Sequence, residues 1–198
     1  MKVPAYNKAN RKNSGGNYEQ IPKGNYVCKI MSIAEHTSKT GKAMVKIAFD
    51  IAEGEYKDFY KKKFDEDERE DKKWPGDAVY YMTIPDDNTE SFVKDQWDTF
   101  WANVEDSNNG YVFTGNEKTV KGKTFGGIFR IEQSQSDSGQ IYDHTRLFRT
   151  RIAQDVRDGK VTWVPKDKLV DGAAGSGASD DGEAFMAIPD DAPVDLPF

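Results

Sequence analysis

From Gly24 onward, hydrophobic positions recur with a period of two. Residues 26–33 are short and rich in β-formers. Ala43–Ile51 alternates strictly, with Val45, Ile47, Phe49 and Ile51 on one face and Met44, Lys46, Ala48 and Asp50 on the other. The polar stretch 36–42 between them offers Gly41 for positive φ, so the two strands are predicted to form a hairpin with Lys39 and Lys42 at its tip. Residues 56–64 read as a third strand, the acidic run 65–71 as a solvated excursion ended by Trp74-Pro75-Gly76, and residues 78–84 as a return to the sheet.

The period then changes. Phe92, Val93, Trp97, Phe100, Trp101 and Val104 recur at three- and four-residue intervals behind a capping-box spacing of Asp87 and Glu90, which predicts one amphipathic helix closed by Asn108-Asn109-Gly110. Strands resume at 121–132, interrupted by Gly126-Gly127, and at 141–152; residues 161–164 offer a last edge strand before Pro165. Paired glycines inside a strand mark a sharp bend or a close backbone approach, which a small closed barrel needs at its corners. Strands, one helix, then strands, without βαβ alternation, predicts a mainly β domain: a five-stranded OB-fold Greek-key barrel with one amphipathic helix.

Both ends lie outside this pattern. Residues 1–17 carry Lys2, Lys8, Arg11 and Lys12 and no acid, and read as a basic arm; residues 18–170 form the domain; residues 171–198 read as a disordered acidic tail, because 171–182 hold little but Gly, Ala, Ser and Asp. Charge supports this division. The chain carries a net −6, but its tail holds Asp171, Asp180, Asp181, Glu183, Asp190, Asp191 and Asp195 and no Lys or Arg. Taking those seven from 34 acids against 28 bases leaves residues 1–170 at +1, a body that can present a basic face.

Composition narrows the chemistry. One cysteine, Cys28, excludes an internal disulfide, and with only His36 and His144 beside it the chain has too few soft ligands for zinc. No stretch approaches a membrane span or a signal peptide, so a cytoplasmic protein with no membrane partner is expected. There is no Gly-x-Ser-x-Gly, phosphate-binding glycine loop or His-Glu-x-x-His, so neither an enzyme nor a cofactor or metal site is expected.

Binding a single strand without reading its sequence needs cations for the phosphates and rings for the bases. The strands interleave both. Candidate DNA-binding residues are Tyr26 and Lys29, Lys39 and Lys42 on the hairpin loop, Lys46, Tyr56, Tyr60, the run Lys61-Lys62-Lys63, and Tyr80. Beyond the helix they are Lys121, Lys123, Phe125, Phe129, Arg130, Tyr142, Arg146 and Arg149. Each ring has a competing role in a core, and the helix aromatics Trp97, Phe100 and Trp101 are assigned there. Two other classes stay open: an acidic mimic that occupies another protein's nucleic-acid site, and a nuclease holding magnesium on the carboxylates of 65–71.

The closing Asp195-Leu196-Pro197-Phe198 behind Asp190-Asp191 resembles the acidic tip of bacterial single-stranded DNA-binding proteins. The body is more similar to phage and prophage members of that group. It matches through Gly24-x-Tyr26, Thr37 to Lys42, Trp74-Pro75-Gly76, Asn109-Gly110-Tyr111, Lys121-Gly122-Lys123 with Gly126-Gly127, and Thr145-Arg146-Leu147. The resemblance implies an OB-fold that coats single-stranded DNA during phage replication and recombination in the host cytoplasm. It also implies a tip (Asp190, Asp191, Asp195, Leu196, Pro197, Phe198) that recruits replication or recombination proteins. A homo-oligomer such as a dimer is compatible with it.

Overall fold

The computed structural model describes residues 19–170. Five strands, β1 (Gly24–Thr37), β2 (Ala43–Ile51), β3 (Val79–Thr83), β4 (Thr124–Gln135) and β5 (Ile141–Arg151), form one antiparallel sheet in the order β3-β2-β1-β4-β5. Three helices accompany it: α1 (Phe59–Glu66), α2 (Ser91–Ser107) and α3 (Ala153–Arg157). The fold is mainly β and OB-like. Its long first strand serves two partners: Gly24 to Lys29 pair with Phe129 to Thr124 of β4, while Cys28 to Thr37 pair with Ile51 to Ala43 of β2, across a bulge at Ile30/Ser32. A bulge bends and twists its strand, and this one lets β1 curl the sheet around a single core.

The sheet stays open, where the sequence suggests a closed barrel. β3 has only five residues and does not pair with β5. Side chains cover the gap instead. Asp77, in the turn that leads into β3, lies 3.1 Å from His144 Nδ1 and 3.5 Å from Arg146 Nε on β5. Gln20 accepts from Thr145 N at 3.0 Å and donates to the Asp143 carbonyl, so the incoming chain occupies backbone groups of β5 that the ladder leaves over.

The β1–β2 hairpin follows the alternation. Gly41 takes φ 81, and Ser38 Oγ accepts from Lys42 N at 2.9 Å inside the loop. β2 itself departs from a half-buried strand, for all residues from Met44 to Ile51 are buried. Phe49 is fully enclosed, with Tyr60, Phe125 and Phe129 edge-on at 6.0, 6.1 and 5.8 Å. On the other face Asp50 is buried because it holds the start of α1, accepting from Tyr60 N at 3.0 Å and Lys61 N at 3.1 Å. Capping a helix start with a carboxylate satisfies amides that have no partner within the helix.

That helix replaces the third strand expected over 56–64. Asp58 adopts φ 58, the described non-glycine residue with positive φ, and turns the chain into α1. The true third strand is β3, inside the predicted return at 78–84. α2 appears where the apolar period places it and buries Val93, Phe100, Trp101 and Val104, while Phe92 stays half exposed. Its N-cap is Glu90 without a side-chain cap; the preceding turn is held by Asp86, which accepts from Asn88 N and Thr89 Oγ1, in place of the Asp87–Glu90 box. At its far end Asn108 both accepts from Thr124 N (3.0 Å) and donates to Thr124 O (2.8 Å), pinning the helix to β4.

Gly126 and Gly127 do mark a close approach. A Cβ at Gly126 would lie 2.7 Å from Val156 Cγ2 and 2.9 Å from the Ile152 carbonyl, and one at Gly127 2.7 Å from the Phe129 ring and 2.9 Å from Leu147. No side chain fits between β4 and α3 there. The edge strand expected at 161–164 is absent: residues 160–170 run as a strap, bridged to the sheet at Glu132 and Lys168. Among the described residues no helix is long and apolar enough to cross a membrane. The predicted arm (1–17) and the tail with its tip lie outside them.

Candidate nucleic-acid interface

Burial first removes five of the sequence candidates from any surface. Phe125 and Phe129 belong to the ring cluster around Phe49, Tyr60 packs edge-on against it, and Tyr80 stacks on Phe100 at 5.9 Å with its hydroxyl accepting from Gln96. Lys46 is only 4% exposed, flanked in the ladder by Ala34 and Tyr81. The reason is shared. Four of the five lie on strands that are covered where they stand, and Tyr60 is the residue of α1 that faces the core, so each is enclosed before any ligand can reach it.

Tyr26 and Tyr56 form a half-buried rim to that core. Tyr26 sits edge-on to Phe129 at 5.4 Å and to Tyr56 at 6.0 Å, and its hydroxyl donates to the Pro22 carbonyl at 2.8 Å. Burial, reinforced by Tyr56 and Glu55, pushes its phenol up to about 12 from an ordinary 10.0. The folded state therefore favours the neutral form, and its contribution to stability is intact below the unfolded value and lost as pH rises through about 12. Absorbance titration of wild type minus Tyr26→Phe should isolate one phenol ionising near 12; a difference curve centred at the ordinary value would show a solvated ring.

The lysines are dispersed over separate elements. Lys39 and Lys42 are exposed at the hairpin tip. Lys29 is ion-paired with Asp58, and Lys61 with Asp65 one helical turn on. Lys62 is exposed, whereas Lys63 lies over the Phe59 ring at 4.6 Å and donates to the Glu19 carbonyl; partial burial lowers its pKa. Lys121 is exposed beside Gly122, and Lys123 lies 4.4 Å over the Tyr111 ring. The run Lys61-Lys62-Lys63 is thus split around a helix instead of lying along a strand.

The structure does bring the arginines together. Arg130 on β4 stands directly opposite Arg146 on β5, and the bulge at Ile128/Phe129 sets Arg149 opposite Ile128. The Arg130 guanidinium carbon lies 4.0 Å over the Phe148 ring and is oriented by Glu132 at 2.8 Å. The exposed Arg149 lies 5.4 Å from Phe148 and 5.5 Å from Trp163, whose rings are 5.6 Å apart. Trp163 is 47% exposed, and Tyr142, near the hairpin end of β5, is 46% exposed.

Trp163 reaches this position through the strap. Asn25 Nδ2 donates to the Val161 carbonyl at 2.9 Å at one end. At the other, Asp167 pairs with Lys23 at 2.6 Å and accepts from Ile131 N, while Lys168 and the β4 backbone exchange two hydrogen bonds. A short segment anchored on both sides holds the indole over Phe148 with much of its surface open. Trp163 and Arg151 are absent from the sequence-based site, whereas Phe148 stands among the interleaved rings and cations of β5; the signal Trp163 carried is a large ring in the expected edge strand 161–164, at the margin of the sheet.

Guanidinium planes laid on aromatic faces, with one large ring open to solvent, can hold phosphate and stack an unpaired base in the same few ångströms. The acidic run offers different chemistry. Arg69 engages both Asp67 oxygens and holds its carboxyl at about 2, and among the described residues no group of three or more His, Cys, Asp or Glu is placed to hold a metal ion. The chain matches no known family model, and no curated protein sequence matches it either.

Proposed function

We propose that the protein binds single-stranded DNA without catalysis and without strong sequence preference, through the β4–β5 face. The carrying observation is the Arg149–Phe148–Trp163 stack with Arg130 beside it, on an OB-like sheet. Stacking accepts any base because every base has a π-face, and guanidinium groups take the backbone that every sequence shares. The hairpin lysines Lys39 and Lys42 are further exposed cations for phosphate. The acidic tip, Asp190 to Phe198, repels the strand and instead suits a basic, apolar-pocketed protein partner, in keeping with its resemblance to recruiting tails of phage and bacterial single-strand-binding proteins.

Fluorescence anisotropy of a labelled oligo-dT titrated with the full chain tests this. Binding should weaken linearly in log salt, with a slope of about −2 if the exposed Arg149, Lys39 and Lys42 each displace a counterion from a single strand. An acidic mimic would leave the oligonucleotide untouched at every salt concentration. A nuclease would shorten it when magnesium is added.

A further inference from the structure

Between the start of the strap and the sheet lies a cavity of about 200 Å³. It is lined by the buried Ile128, by Trp163, by the cations Arg151 and Lys160, and by Asp155. At that size it is below the usual range for drug-sized ligands, about 300–1,000 Å³, and suits a single planar ring. Its walls combine what one unstacked nucleotide needs: the exposed Trp163 ring against the base, and the Arg151 guanidinium for its phosphate.

Asp155 adds selectivity. Lys160 Nζ lies 2.8 Å from Asp158 but 3.7 Å from Asp155, so the ammonium is held by Asp158 and the Asp155 carboxylate keeps acceptor sites for a ligand. An ionised carboxylate only accepts hydrogen bonds. Cytosine presents an exocyclic amine that donates to it, whereas thymine presents a carbonyl oxygen at the same place, which it repels.

We infer that this cavity takes one unstacked base of the bound strand and that Asp155 makes it favour a base carrying an exocyclic amine over thymine. The inference rests on the single-strand reading above and refines it: the surface as a whole is tolerant, with one selective position.

The test compares oligo-dC and oligo-dT of equal length, by anisotropy with the full chain, in wild type, Asp155→Asn and Asp155→Ala. Wild type should bind oligo-dC about ten-fold tighter, as one charge-assisted hydrogen bond made or lost implies. Both variants should bring the two oligonucleotides within about two-fold while keeping their melting temperature, since Asp155 is not part of the core. Equal binding by wild type, or a preference that survives in both variants, overturns the inference and leaves the proposed function standing. Failure of both oligonucleotides to bind wild type overturns the proposed function, and this inference with it.

Discussion

Replacing Arg149 and Trp163 together with alanine is expected to weaken oligo-dT binding by about a hundred-fold. A stacked base is worth roughly 1–3 kcal/mol and an exposed guanidinium on its ring and phosphate about 1 kcal/mol. Near 3 kcal/mol in all, that is about two decades in Kd. The single variants separate the two contributions. Arg149→Ala should flatten the salt slope by about 0.7, since one fewer phosphate is neutralised, whereas Trp163→Ala should lower affinity with the slope unchanged. Both side chains are exposed, so melting should move little. A double variant that binds like wild type would mean the strand lies elsewhere.

Phe49→Ala should produce the largest loss of stability. Its ring has no exposed surface and touches the rings that join β2 to β4 and α1, so truncation leaves a cavity that Tyr60, Phe125 and Phe129 cannot collapse into without breaking their own contacts. Truncations of this kind cost about 3–5 kcal/mol, which for a domain of this size lowers the melting temperature by roughly 10 °C. Phe49→Leu, which keeps most of the volume, should recover much of it. A near-wild-type melt for Phe49→Ala would show that the ring cluster is not the centre of the core.

The long strands and α2 were legible because their apolar periods of two and of three to four are local properties of the chain. α1 was not, though Tyr60 and Phe64 stand four apart. The aromatic content of 56–64 suggested a strand, and what makes it a helix is the buried Asp50, a contact ten residues away that no local period reveals. The same limit applies to the interface. Alternation identified β4 and β5 and their basic residues, but that Phe125 and Phe148 are both enclosed while Arg149 and Trp163 stay exposed depends on the bulge at Ile128/Phe129 and on what the strap covers. Lys46 shows the converse error: the polar face of a strand is exposed only if nothing packs on it, and on β2 both faces are covered.

The central claim is that the strand stacks at Trp163, and the four tryptophans make that directly measurable. Trp74 and Trp101 are buried and Trp97 packs edge-on against Trp101, which leaves Trp163 as the indole most open to an incoming base. Tryptophan emission should be followed while oligo-dT is added to wild type and to Trp163→Phe, with binding monitored in parallel by anisotropy. The account predicts strong quenching in wild type and loss of most of it in Trp163→Phe, whose ring still supports binding. Quenching of equal depth in both proteins would contradict it.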